Sequence, residues 1–182
     1  MNTNKDKVLY LTGEIDGSSI KTINTQLLQQ IKEDNKQDQT LKAFNREPIE
    51  LYINSFGGSV YDALSLVDII IHSPTPIHTV CTGYAMSAAF LVFISGSKRF
   101  LSPHATLMYH QISQNINGKL GHIETSLAES KRLEQVIDHI ITEKTKIPLT
   151  MLEEHKKNQT DWYISLEEAL ELGCVDETLV SI

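Results

Sequence analysis

The chain has 182 residues, 41% of them hydrophobic, with 23 acidic and 16 basic side chains and a formal net charge of −7. That length suits one globular unit, so we expect residues 1–182 to form a single domain. The acidic balance offers no cationic face to a phosphate backbone, and the longest apolar stretch, residues 85–95, is well short of the ~20 residues that span a bilayer; we therefore expect neither a nucleic-acid partner nor membrane insertion.

Short apolar runs alternate with helical patterns from the start of the chain. Met1–Lys7 is polar and lacks the apolar core of a signal peptide, so export is not expected. Val8–Leu11 is predicted as the first strand, and Asp16 or Ser18 is predicted to cap the helix that follows. The polar residues 33–46 are predicted to form a solvated surface loop.

The alternation continues to the end of the chain, which is typical of crossover units on a mainly parallel sheet and predicts an α/β fold. The other predicted strands are 49–53, 77–81, 98–101 and 106–109, and the other predicted helices are 60–71, 88–93, 122–146, 149–155 and 166–172. The last helix opens with a capping box, Ser165 with Glu168. Cys81 and Cys174 have apolar neighbours, which predicts two buried thiols of a cytoplasmic protein rather than a disulfide.

Two glycines, Gly57 and Gly58, lie between a predicted strand and a predicted helix. Glycine lets the backbone turn sharply and expose N–H groups, and such donors can hold an oxyanion. An ordinary turn without a function explains the same residues. The spacing matches neither the G-x-G-x-x-G fingerprint nor a Walker A loop, so no nucleotide is expected, and we expect no other cofactor.

Ser87 follows the small-residue turn 82–85 and precedes an apolar helix. Its hydroxyl is therefore predicted near a helix N-terminus, where the positive end of the helix dipole favours a developing negative charge. An ordinary N-cap serine is the alternative. Ala85 and Ala89 stand where the α/β-hydrolase elbow has its glycines, so a different scaffold is indicated.

A nucleophilic serine needs an imidazole to take its proton and a carboxylate to fix the imidazole's tautomer. His110 is the candidate base because it stands where a buried strand reaches the surface, although strand-end histidines are often structural. Asp161 is one of 23 acidic residues, and its neighbours Trp162 and Tyr163 are expected to limit its contact with solvent. The seven histidines show no H-E-x-x-H or Cys-His spacing, so no metal is expected.

Four blocks of sequence, in matching order and spacing, resemble the Clp protease proteolytic subunit (ClpP) family over about residues 8–176. They are Tyr52–Val60, Gly83–Ser87, Met108–Gln111 and Ser165–Asp176. The resemblance implies a ClpP/crotonase-like fold of repeated β-β-α units with a protruding handle helix. It also implies a serine endopeptidase that hydrolyses peptides or unfolded proteins inside a homo-oligomer of stacked heptameric rings.

The resemblance assigns roles to individual residues. Ser87 is the implied nucleophile, His110 the general base and Asp161 the residue that orients the imidazole. The backbone N–H groups of Gly58 and Ala88 are the implied oxyanion donors. A substrate strand is expected to pair with the backbone on both sides of the nucleophile, because strand addition supplies affinity with little side-chain specificity. The residues expected to bind it are Ser59, Val60, Gln111, Ile112 and Ser113.

The chain also departs from the usual pattern of the family. Phe56 replaces a proline, Ala88 replaces a methionine, and Thr160 replaces an arginine that pairs across rings. Residues 33–46 are longer than usual, as in phage-encoded or otherwise divergent relatives. The resemblance also implies an AAA+ unfoldase as a partner. In the family, the segment before the first strand forms the axial loops that contact the unfoldase, and in this sequence only seven residues precede Val8.

Three other functions remain open at the level of sequence. The first is a non-catalytic ring subunit, which the joint presence of Ser87, His110 and Asp161 disfavours. The second is an acyl-CoA enzyme of the crotonase superfamily, which shares the fold but is disfavoured by the short chain and by the serine at the catalytic position. The third is a prophage capsid-maturation protease, which uses the same chemistry and which the sequence does not separate from a degradative enzyme.

Overall fold

The computed structural model describes residues 7–180, and the prediction of a polar, unexported N-terminus falls largely on residues 1–6, outside this range. The strands are β1 (Val8–Ile15), β2 (Ile49–Gly58), β3 (Ile77–Met86), β4 (Lys98–Leu101), β5 (Thr106–Tyr109), β6 (Trp162–Ile164) and β7 (Glu177–Thr178). The helices are α1 (Gly17–Thr40), α2 (Val60–His72), α3 (Ala88–Ile94), α4 (Leu120–Lys144), α5 (Leu149–Asn158) and α6 (Leu166–Glu171). Between residues 7 and 180, no helix is both long enough and apolar enough to cross a membrane.

A mainly parallel sheet forms the framework of the molecule. Its strands run in the order β1-β2-β3-β4-β7, and β5 joins β3 on one side and β6 on the other. Among the described strands, every pairing is parallel except that of β5 with β6. Parallel neighbours need crossover connections, which α1, α2 and α3 provide. The prediction of an α/β fold with a mainly parallel sheet is confirmed.

The β-β-α repeat is visible in the way the long strands are divided. The register of β2 to β3 shifts between Ile53 and Ser55, so the two ends of β2 belong to different parts of the sheet. β3 is divided likewise, because residues 78–81 pair with β4 and residues 84–86 pair with β5. In the next repeat the two halves are separate strands: β4 corresponds to the first half of β3, and β5 corresponds to its second half. Because of this division, β2 and β3 continue well past the predicted ends at residues 53 and 81.

The first helix is longer than the sequence predicts. α1 runs for 24 residues, so the prediction of a loop over 33–46 is wrong for most of that segment. The predicted cap is present, because one carboxylate oxygen of Asp16 accepts hydrogen bonds from the backbone N–H groups of Ser18 and Ser19 at 2.9 and 2.7 Å. The error lies at the other end of the helix, where the sequence turns polar.

A buried carboxylate explains why the helix continues. Asp34 is only 3% exposed, and its oxygens accept hydrogen bonds from Lys7 Nζ at 2.7 and 2.8 Å and from Thr75 Oγ1 at 2.8 Å. Arg46 Nη1 in turn donates to the Thr75 hydroxyl at 3.1 Å. Buried polar groups need such partners, and these lie far from Asp34 in sequence. Hydrophobic periodicity alone therefore ends the helix too early.

The centre of the core is α3, in which all seven residues are buried. Phe90 and Phe93 are its largest side chains, and both have 0% exposure. Burying a side chain of this size contributes roughly 1.5–3 kcal/mol. Cys81 and Cys174 are free and buried, as predicted, and burial raises the pKa of both thiols to about 12. Neither thiol is therefore a thiolate at neutral pH.

The long helix α4 is packed along its second half only. Residues 120–128 are exposed apart from the half-buried Ser126, whereas the buried positions of the helix begin at Leu133. The exposed first half includes three large apolar side chains on one stripe, Leu120, Ile123 and Leu127. This half of α4 matches the predicted handle helix.

The capping box predicted for the last helix is half formed. Ser165 Oγ accepts a hydrogen bond from the backbone N–H of Glu168 at 3.2 Å. The carboxylate of Glu168 accepts instead from the indole N–H of Trp162 at 3.1 Å. A buried indole N–H requires an acceptor, so Glu168 fixes the Trp162 ring against the start of α6.

Replacing Lys7 by Met is expected to destabilise the fold, because it leaves the buried carboxylate of Asp34 without its cation. Removing one partner of a fully buried pair costs about 3–5 kcal/mol; the Lys7 side chain is 23% exposed, so we expect on the order of 2 kcal/mol after solvent screening. The measurement is urea unfolding at one protein concentration. Lys32→Met is the matched control, since Lys32 is exposed on α1. Equal midpoints for the two variants would contradict this role of the pair.

Candidate active site

Ser87 stands at the junction between β3 and α3. Its backbone angles are φ 54° and ψ −124°, a conformation that costs a residue other than glycine about 1–3 kcal/mol. Its N–H donates to the carbonyl oxygen of Met108 at 2.8 Å, which ties the junction to β5. Its hydroxyl caps no N–H of α3. The side chain is thus free of the role that an ordinary N-cap serine would have.

The hydroxyl of Ser87 is directed to His110 instead. Ser87 Oγ and His110 Nε2 are 2.8 Å apart, within hydrogen-bond range. The strand register explains this contact, because β3 and β5 run parallel with Met86 opposite Met108. The residues that follow these two strands therefore emerge side by side at the same edge of the sheet. In this geometry an unprotonated Nε2 accepts the serine proton directly.

Asp161 lies on the other side of His110. β5 and β6 are antiparallel with Tyr109 opposite Trp162, so His110 and Asp161 form the next opposing pair. His110 Nδ1 and Asp161 Oδ1 are 4.0 Å apart, which is beyond hydrogen-bond range. The imidazole of His110 is thus within hydrogen-bond range of Ser87 but not of Asp161.

The expectation that Trp162 and Tyr163 shield Asp161 from solvent is wrong. The Asp161 side chain is 56% exposed. Side chains alternate along β6, so Trp162 turns into the core at 8% exposure while Tyr163 faces outward at 59%. Asp161 precedes the strand and extends into solvent beside His110.

Both glycines are closely packed, Gly57 against the nucleophile and Gly58 against the end of β1. A Cβ built on Gly57 would lie 2.9 Å from the Ala88 nitrogen and 2.9 Å from Ser87 Cβ, and the φ of Gly57 is +100°. A Cβ on Gly58 would lie 2.3 Å from the carbonyl oxygen of Ile15. No side chain fits at either position. Ala88 is the first residue of α3, where backbone N–H groups have no partner within the helix.

A cleft of about 360 Å³ opens at His110. The residues that line it are His110, Gln111, Ile112, Ser113, Gln114, Gln159, Thr160 and Asp161. Three of the five predicted substrate-binding residues therefore face it. The other two lie at the start of α2, where Ser59 Oγ accepts a hydrogen bond from the Asp62 N–H at 3.3 Å and Val60 is the first helical residue.

The chain is similar to known proteins over nearly its whole length. A model of the family described as Clp protease matches residues 2–181. The chain belongs to the Clp protease family. It is 30% identical over 176 residues to the ATP-dependent Clp protease proteolytic subunit of Porphyromonas gingivalis, which is 96% of this chain and 74% of that protein. The resemblance to this family and the predicted ClpP/crotonase-like fold are confirmed.

Some contacts at this candidate site have no signal in the sequence. The glycine pair is visible as a motif, but nothing in the sequence shows that Gly57 is the glycine that approaches Ser87 and Ala88. The carbonyl of Met108, which holds the Ser87 N–H, lies within an ordinary buried strand. Gln159 and Thr160 join the cleft through the pairing of β5 with β6, and strand partners cannot be read from local patterns.

Phe56, where the Clp protease family often has proline, stacks on Tyr84. The ring centroids are 4.1 Å apart and the planes differ by 28°. Phe56 is 66% exposed, so the stack lies on the surface beside Gly57. Aromatic pairs of this kind contribute about 0.5–1.5 kcal/mol beyond the area that they bury, so the stack links the turn at Phe56 to β3.

Replacing Gly57 by Ala is expected to destabilise the junction, because the positive φ strains an L-residue by about 1–2 kcal/mol and the Cβ would overlap the Ser87 turn. Gly121→Ala is the control: its Cβ meets nothing within 4 Å, and alanine inside a helix adds about 0.5–1 kcal/mol. Urea unfolding followed by the fluorescence of Trp162, the single tryptophan, measures both. A Gly57→Ala midpoint at or above that of the parent would contradict the close packing.

Proposed function

We propose that this chain is a serine endopeptidase that hydrolyses peptides or unfolded proteins, with Ser87 as nucleophile, His110 as general base and Asp161 as the residue that orients the imidazole. The observation that carries the proposal is the 2.8 Å contact between Ser87 Oγ and His110 Nε2 at the start of a buried helix. A serine held there in a strained conformation, without a capping role, has the environment of an activated nucleophile.

Acylation follows from this arrangement. His110 Nε2 takes the hydroxyl proton as Ser87 Oγ attacks the carbonyl carbon of the scissile peptide bond. The carbonyl oxygen becomes an oxyanion, which the backbone N–H groups of Gly58 and Ala88 stabilise at the positive end of α3. His110 then gives the proton to the leaving amine as the C–N bond breaks. The products are a free amine and an ester on Ser87.

Deacylation repeats the same steps with water. His110 removes a proton from a water molecule, whose oxygen attacks the ester carbonyl. The second oxyanion uses the same two N–H donors. Its collapse breaks the bond to Ser87 Oγ, and the proton held on His110 returns to that oxygen. The acid product leaves, and the side chains are restored.

For Asp161 to orient the imidazole, the distance between its carboxylate and His110 Nδ1 has to shorten slightly. At 4.0 Å from His110 Nδ1, its carboxylate attracts an imidazolium but accepts no hydrogen bond from it. A shift of about 1 Å completes that bond, which holds the proton on Nδ1 and leaves Nε2 free to act as base. We propose that the described geometry is a resting state and that substrate or assembly completes the triad.

The cleft beside His110 supports the proposed mode of substrate binding. Residues 111–113 follow β5 and His110, line the cleft and lie outside any strand. A substrate in extended form can add to this segment through backbone hydrogen bonds, with the start of α2 at Ser59 and Val60 on the other side of the scissile bond. Recognition through backbone groups suits an enzyme that accepts many sequences.

Assembly and partners are inferred from the family. We propose a homo-oligomer of stacked heptameric rings that encloses the active sites, located in the cytoplasm. The exposed apolar stripe on the first half of α4 is consistent with burial in such an assembly. The Porphyromonas gingivalis relative is named as the proteolytic subunit of an ATP-dependent protease, which supports an AAA+ unfoldase as a partner of this chain as well.

A non-catalytic ring subunit is the second candidate, and one observation favours it. His110 Nδ1 and Asp161 Oδ1 are 4.0 Å apart, and Asp161 is open to solvent. A non-catalytic subunit would not need a hydrogen bond between these two residues. The contact between Ser87 and His110 argues for the peptidase. Reactivity of the serine separates the two candidates.

Replacing Ser87 by Ala is expected to lower the hydrolysis of a short fluorogenic peptide by about 10⁴-fold or more, because the covalent route is lost while binding remains. Ser102→Ala is the control, since Ser102 is partly buried and lies outside the proposed site. Light scattering after size-exclusion chromatography checks that assembly is unchanged. Equal rates for Ser87→Ala and the parent would sink the assignment.

A further inference from the structure

His155 contacts both neighbours of Asp161. Its ring stacks on the ring of Trp162, with centroids 4.6 Å apart and an angle of 6° between the planes. Its Nδ1 lies 3.1 Å from the hydroxyl oxygen of Thr160. Its backbone oxygen also accepts a hydrogen bond from the Thr160 N–H at 3.2 Å. The residues before and after Asp161 are therefore both held by one histidine.

The elements around His155 are fixed independently. It lies in the last turn of α5, which is anchored in the core by the fully buried Leu152. Gln159 ends that helix in the left-handed conformation, with φ 53°, so only a tight turn separates α5 from β6. Trp162 is fixed in turn by its hydrogen bond to Glu168. Asp161 thus lies on a short turn whose two ends, α5 and Trp162, are both held in place.

We propose that His155 and Thr160 are positioning residues that set the distance between the Asp161 carboxylate and His110. This inference rests on the proposed function and deepens it. The carboxylate stands about 1 Å outside hydrogen-bond range of His110 Nδ1, so a small displacement of the turn makes or breaks the contact. Errors of this size in a catalytic constellation cost up to about 10²-fold in rate.

The exposure of these residues separates positioning from stability. Thr160 and Asp161 are both exposed, and a hydrogen bond open to water contributes little to folding. A change that removes only the bond between Thr160 and His155 leaves the core of α5 and β6 intact. Its effect on the rate therefore reports the placement of Asp161 rather than the amount of folded protein.

Two substitutions remove that bond from either side. Thr160→Val keeps the shape of the side chain and loses the hydroxyl, and His155→Phe keeps a ring on Trp162 and loses Nδ1. We expect each to lower the second-order rate of inactivation by diisopropyl fluorophosphate about tenfold, and to lower kcat for a short peptide similarly while KM changes less than about twofold. Thr160→Ser, which returns the hydroxyl, restores the rate.

An Asp161→Asn background provides the decisive control. Once the carboxylate is gone its position no longer matters, so Thr160→Val should lower the rate no further in that background. A loss of equal size there would mean general damage and would overturn the proposal. His139→Phe is the matched control for the ring substitution, because His139 is an exposed histidine on α4 whose side chain is 71% exposed.

The outcomes distinguish this inference from the function on which it rests. Rates for Thr160→Val and His155→Phe within about twofold of a reactive parent would overturn the positioning role and leave the triad standing. A parent that reacts no faster than Ser87→Ala would overturn both. Unchanged thermal midpoints accompany the expected result, since neither substitution touches a buried hydrogen bond.

Discussion

The site depends on the pairing of β3 with two different strands on the same side. Its first half pairs with β4 and its last three residues pair with β5, so the strand leaves one part of the sheet and enters another before it reaches Ser87. This division brings the end of β3 beside the end of β5, and hence a serine beside a histidine. In β2 the register shifts between Ile53 and Ser55, shortly before Gly57, which packs against the start of α3.

The burial of α3 offsets the backbone strain at Ser87. All seven residues of the helix are buried, and two phenylalanine side chains alone contribute roughly 3–6 kcal/mol at 1.5–3 kcal/mol each, against a backbone strain of about 1–3 kcal/mol. The third residue of the proposed triad has no such support. Asp161 sits on an exposed turn between α5 and β6, so the packed core fixes Ser87 and His110 while local contacts at His155 govern Asp161.

Local patterns revealed much of this chain, and the failures share one cause. The junction at Ser87 and the strand that ends before His110 were predictable because a small-residue turn, an apolar helix and an apolar strand each occur in a continuous stretch. The extension of α1 was not, because Asp34 is held by Lys7 and Thr75, which are 27 and 41 positions away. Local patterns do not predict the solvent exposure of Asp161 either, because it depends on which way Trp162 turns within β6. The roles of the site residues came from the family resemblance, not from periodicity.

The central claim is that Ser87 is an activated nucleophile, and chemical labelling tests it most directly. Intact-mass spectrometry after incubation with diisopropyl fluorophosphate would compare the parent chain with Ser87→Ala. Burial raises the pKa of both cysteine thiols to about 12, so neither competes as a thiolate. We expect a single adduct on the parent and none on the variant. No adduct on an assembled parent, or the same adduct on both chains, would contradict the claim.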